Sequence, residues 1–111
     1  MGFFIAGGDM PDHEPLQKLR RQIQTIDAEL VAILQRRIEV VLQIGQYKED
    51  HRLPVRDKNR ENEVIEQILS TPHDPMDSDA LKNLFEFIMK ICRDAQHALM
   101  EKSKNNNSGT S

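Results

Sequence analysis

Several charged and polar side chains of this sequence fall where a helical apolar stripe predicts a hydrophobic residue. Ile23, Ile26, Leu30 and Ile33 recur at spacings of three and four, and the next position of that series is Arg37. An unpaired guanidinium on such a stripe costs roughly several kcal/mol, so Arg37 needs an anionic partner. Lys48 lies about 20° from Arg37 around a helix, on the same face and about three turns on. Arg20 lies about 100° round from Arg37, on a different face, where in an antiparallel dimer it could reach the partner's site. Asp57, Glu61, Val64 and Ile68 follow at spacings of four, three and four, so a second stripe begins with two carboxylates, with Arg60 beside Glu61. Cys92 and Gln96 continue a third stripe through Phe85 and Ile88, which aims an amide at the core.

Together these groups describe a polar pocket inside a helical core, with a surplus of positive charge that suits a small dianionic ligand. Guanidinium groups meet carboxylates through paired hydrogen bonds. Each residue also has a plainer reading. Arg37 with Glu61 makes a structural ion pair, Lys48 a solvated lysine, Gln96 a satisfied core amide and Cys92 a small buried residue. His13, His51, His73 and His97 do not pair at ligand spacing, and Gly45 stands alone in a helical stretch rather than in a phosphate-binding loop. No metal and no cofactor are expected.

The elements that must position these groups are helices. From Leu16 to about Asp50 there is no proline, and the apolar series Leu16, Leu19, Ile23, Ile26, Leu30, Ile33, Val40, Ile44, Tyr47 predicts one helix of about 35 residues and roughly 50 Å. Pro54 ends it. A second helix is expected from about Asp57 to Leu69, with Val64, Ile65, Ile68 and Leu69 inward. A third is expected from about Ser78 to Lys102, capped by Asp77 or Ser78. Its inward residues are Leu81, Leu84, Phe85, Ile88, Met89, Cys92, Ala95 and Leu99. No strand-like alternation appears, so the fold class is all-α. A single domain of this size has a radius of gyration near ~13 Å, too small to cover the first helix, and its apolar seam therefore needs a second copy of the chain.

The chain has 111 residues, 38 % apolar and 30 % charged, with a formal charge of -3, which gives no global field for nucleic acid or anionic membrane. One cysteine makes neither an internal disulfide nor a cysteine-based zinc site, and a cytoplasmic location fits best. The apolar Gly2 to Gly8 stretch is too short to span a bilayer. The domain is placed at 14–102, with a flexible leader over 1–13 and a disordered tail over 103–111.

Arg20, Arg37, Gly45-x-x-Lys48 and Pro54-Val55-Arg56-Asp57-x-x-Arg60-Glu61, with Gln96 in the third helix, resemble the all-α chorismate mutase family. The likeness is greatest to the mutase domain at the start of bacterial bifunctional chorismate mutase/prephenate dehydratases. It covers about Leu16 to Leu99.

The resemblance implies an intertwined homodimer of three-helix protomers that rearranges chorismate to prephenate in phenylalanine and tyrosine biosynthesis. It implies that Arg37 and Arg20 of the partner subunit grip the substrate carboxylates, and that Lys48 and Gln96 donate to the ether oxygen. It further implies that Glu61 accepts from the ring hydroxyl, that Asp57 lies at the same end of the pocket, and that Arg60 supports the network and orients Glu61. Cys92 stands where related chains often carry serine, and a thiol is a weaker donor. Two other readings compete: an isochorismate pyruvate-lyase on the same scaffold, and a non-catalytic dimeric helical interaction module.

Overall fold

A computed structural model describes the backbone of residues 13–110 and the side chains of residues 13–105. The expected leader lies almost wholly outside the described residues. Three helices are present, α1 (His13–Asp50), α2 (Lys58–Ser70) and α3 (Ser78–Thr110), and no strand occurs among the described residues. The chain divides into two compact units, Met1–Arg37 and Ile38–Ser111, and α1 runs through the division.

In the first unit α1 starts at His13, three residues before the expected position, with Pro15 in its first turn, where a missing N–H costs nothing. Every side chain from Glu14 to Arg36 is exposed. Leu19, Ile23, Ile26, Leu30 and Ile33 are each 48–56 % exposed, so the predicted seam is present and uncovered.

The second unit is built from the end of α1 with α2 and α3. The helix α1 closes by a Schellman arrangement. Leu53 N–H donates to the Lys48 carbonyl at 2.7 Å, Arg52 N–H donates to the Glu49 carbonyl at 3.2 Å, and Arg52 takes the left-handed conformation at φ 58°. Asp57 caps α2, its carboxylate accepting from the Arg60 backbone N–H at 3.1 Å. Asp77 caps α3 in the same way through Ala80 N–H, at 3.1 Å. Between these helices His73 donates from Nδ1 to the Thr71 carbonyl and pairs through Nε2 with the Ser78 hydroxyl.

On α2, Glu61, Val64, Ile65, Ile68 and Leu69 are partly buried as the spacing predicts, but Asp57, expected to begin that stripe, is exposed, because the helix starts at Lys58 and Asp57 is its N-cap. On α3 the expectation needs correction. Leu81, Met89, Cys92 and Gln96 are buried, but Leu84 and Leu99 remain 50 % and 41 % exposed. Leu84 shares an outer face with Phe87 and Ile91, also exposed, whereas Leu99 continues the stripe of Phe85 and Cys92 beyond Gln96, the last buried residue of α3 among those described. Apolar residues on this helix occupy more than one stripe, and spacing alone does not say which stripe meets a neighbour. The helix also runs to Thr110 rather than stopping near Lys102. No proline follows Pro75, so nothing in the chain blocks its propagation. No described helix is long and apolar enough to cross a membrane.

Candidate active site

The inward face of α1 in the second unit carries Ile38, Val41, Leu42, Gly45 and Lys48, at spacings near one turn. Gly45 is buried because Gln96 of α3 lies across it. A Cβ built at position 45 would sit 3.2 Å from both Cγ and Nε2 of Gln96. The missing side chain is what lets the amide cross the helix at that point. Gln96 is 5 % exposed, and its Nε2 donates to the Val41 carbonyl at 2.9 Å. An amide nitrogen has two hydrogens, so this bond leaves one for another acceptor.

Lys48 lies one turn beyond Gly45 on the same face and is partly buried. Its Nζ donates to the Val55 carbonyl at 2.9 Å, which ties the ammonium to the loop before α2. Two of its three hydrogens remain for other acceptors. A cleft of about 420 Å³ opens here, lined by Lys48, Pro54, Arg56, Asp57 and Lys58 among others. Asp57 thus lies at the site's edge while also capping α2.

Glu61 is held from two sides. Its Oε1 faces Nε and Nη2 of Arg56, each at 3.2 Å, and its Oε2 accepts from Nη1 of Arg93 at 2.5 Å. The Glu61 and Arg93 side chains are only 17 % and 22 % exposed. The orienting partner expected in Arg60 is therefore found in Arg56 and Arg93. The Arg60 guanidinium pairs instead with Glu63 at 3.3 Å, with both side chains about two-thirds exposed. The reason is the direction of the α2 face: Arg60 and Glu63 are outward neighbours at a spacing of three, whereas Glu61 points at α3.

Cys92 is buried one turn before Gln96 on the same stripe and is in no disulfide. Lys48, Asp57, Glu61, Cys92 and Gln96 are thus all in the second unit, on or beside its inward faces. Arg20 and Arg37 belong to the first unit, Arg20 exposed and Arg37 partly buried at its C-terminal end.

Arg93 was missed by sequence reasoning, although its signal was present. Met89, Arg93 and Gln96 are spaced by four and three, the same test that singled out Glu61. The importance of Gly45 was equally legible only as an isolated glycine in a helix. Elsewhere, Lys90 donates to Asp94 at 2.9 Å and lowers that carboxyl below its usual range, in an exposed pair away from the site. Among the described residues no cluster of His, Cys, Asp and Glu is placed to hold a metal ion.

Donors from α1 and α3 with a braced carboxylate on α2 can bind an anionic ligand and place hydrogen bonds on a developing negative charge. Residues 19–97 match the profile of the family described as chorismate mutase type II. A bifunctional chorismate mutase/prephenate dehydratase of Escherichia coli K12 is 32 % identical over 98 residues, which are 86 % of this chain and 25 % of that protein. The chain thus spans about a quarter of the length of that relative. A 4-amino-4-deoxychorismate mutase of Streptomyces venezuelae is 29 % identical over 86 residues, 76 % of this chain and 84 % of that one. The crystal structure of the Helicobacter pylori chorismate mutase in complex with prephenate superposes with a TM-score of 0.72 at 26 % identity, over 78 % of this chain and 93 % of that one.

Proposed function

The chain belongs to the type II chorismate mutase family, and from that premise we propose that it catalyses the rearrangement of chorismate to prephenate. The observation that carries the reading is the placement of Lys48 and Gln96. They come from different helices, Gln96 lying across Gly45 and Lys48 standing one turn beyond Gly45 on the same face of α1, and each keeps hydrogens to spare after its own structural bond.

The reaction is a unimolecular Claisen rearrangement. The ether carbon–oxygen bond breaks as a carbon–carbon bond forms, and every atom of the substrate is retained in the product. No proton must leave, so no general base, nucleophile or metal is required. Two things accelerate such a step. One is holding the enolpyruvyl arm folded over the ring. The other is aiming fixed donors at the ether oxygen, where negative charge grows. Lys48 and Gln96 are those donors. Arg37 grips one substrate carboxylate and Arg20 of the partner subunit the other. Glu61 accepts from the ring hydroxyl, and Asp57 and Cys92 complete the pocket wall.

The site is completed by a homodimer. Support comes from the uncovered seam of α1 and from a core in which Leu81, Met89 and Cys92 are the buried apolar residues among those described, too few to hold a domain of this size. Such a seam is covered most simply by the same seam of a second copy. Residues 14–102 are the functional domain, and its place of action is the cytoplasm.

The test is addition of purified protein to chorismate with chelator present, following the loss of ultraviolet absorbance and identifying prephenate by its acid conversion to phenylpyruvate. Turnover is expected, with a loss of about a hundredfold or more in Lys48→Ala, the scale of one transition-state donor. A folded protein that leaves chorismate at its uncatalysed rate overturns the reading. Turnover of isochorismate alone would favour a pyruvate-lyase.

A further inference from the structure

The two guanidinium groups around Glu61 do more than the proposed reaction asks of them. In the reading above, Glu61 needs only to accept one hydrogen bond from a ring hydroxyl. Yet both of its oxygens are already engaged, Oε1 by Arg56 and Oε2 by Arg93. A carboxylate has about four lone-pair directions, so a further O–H donor can still be accepted. A second full positive charge is another matter. The cleft of about 190 Å³ at this carboxylate is bounded by Arg56, Lys58 and Arg93 against Glu61 and Glu86, three cations to two carboxylates.

We propose that Arg93 determines specificity at the ring substituent: by neutralising Glu61 it lets the site take a neutral hydroxyl and turns away a substrate that carries an ammonium there. The inference rests on the assignment of Glu61 to the ring hydroxyl. A carboxylate with one flexible, exposed partner would attract a protonated amine. Arg56 is such a partner, its side chain 53 % exposed. Arg93 is different, because it is largely buried and comes from another helix, so its charge is fixed at short range and poorly screened by solvent. An ammonium could use the same free lone pair as a hydroxyl, but it would then stand beside the fixed Arg93 guanidinium at a carboxylate whose charge is already matched, and the like-charge repulsion would be poorly screened. Both classes of substituent occur among the relatives, since one acts by name on the 4-amino-4-deoxy compound.

The experiment compares kcat/KM for chorismate and for 4-amino-4-deoxychorismate in the full chain and in two variants. The unaltered protein is expected to prefer chorismate. Arg93→Met, which keeps the stem and removes the charge, is expected to narrow that preference about tenfold, mainly through a lower KM for the amino compound. Arg93→Lys, which keeps the charge and loses the fork, is expected to retain the preference. If Arg93 serves only to hold the fold, both variants lower both substrates by a common factor. An unchanged ratio in Arg93→Met, or no preference in the unaltered protein, overturns the inference while leaving the mutase reading intact. Absence of any chorismate turnover overturns the mutase reading and this inference with it.

Discussion

Gly45→Ala separates the two jobs that the contact between α1 and α3 performs. Gly45 is helical, so alanine gains about 1 kcal/mol of helix propensity. Against this, the new Cβ would lie 3.2 Å from Gln96 Cγ and Nε2 and 3.5 Å from Cδ. The two 3.2 Å contacts are tighter than a methyl group ordinarily makes, so the amide must retreat by roughly a few tenths of an ångström. Its 2.9 Å bond to the Val41 carbonyl then weakens, and a net hydrogen bond contributes about 0.5–1.5 kcal/mol. The two effects nearly cancel, and stability is expected to change by less than about 1 kcal/mol. Activity has no such compensation. A misplacement of about 1 Å costs on the order of a hundredfold, so a shift of a few tenths should cost about threefold to tenfold in kcat/KM. Urea unfolding at a fixed chain concentration and chorismate turnover on the same preparation measure both quantities. A variant about 1 kcal/mol more stable with unchanged kcat/KM would refute the argument, because the amide would then have no fixed task.

Other expectations follow from the same geometry. Asp57→Ala should cost about 1 kcal/mol by removing the cap on Arg60 N–H, whereas Asp57→Asn should keep the cap; a shared rise in KM in both would expose a separate role toward substrate, read by unfolding and turnover side by side. Arg52→Gly should stabilise the chain by about 0.5–1 kcal/mol in a melting experiment and leave turnover unchanged, because φ 58° suits glycine better than a residue with Cβ. Gln96→Glu should move the pH–rate profile toward acid, since a carboxyl donates to the ether oxygen only while protonated; a flat profile would remove Gln96 from that oxygen.

Much of the fold could be read from the chain. The three-four spacing located all three helices, because burial on one side of a helix imposes that period on the sequence. Asp77 announced the start of α3 through its side-chain chemistry, whereas Asp57, read as a stripe carboxylate, proved to be the cap of α2. The stripe test found Glu61 and Gln96, since a polar group on an apolar stripe needs a partner. It was not carried to Arg93, although Met89, Arg93 and Gln96 pass it equally. Arg60 shows the opposite failure. The resemblance implied that it orients Glu61, but neighbours on a helix point about 100° apart, and Arg60 turned to Glu63.

What the sequence determined by itself was local and periodic: helices, their caps, and which faces carry charge where an apolar residue is expected. These depend on backbone geometry and on residues a few positions apart. What only the tertiary structure decided was partnership between distant segments. That Arg56 and Arg93 brace Glu61, that Gln96 bonds to Val41 across Gly45, and that Lys48 is tied to Val55 all depend on how the helices lie. Periodicity fixes the angle of a side chain around its own helix. It leaves open the depth and rotation of the neighbour it meets, and those are set by packing.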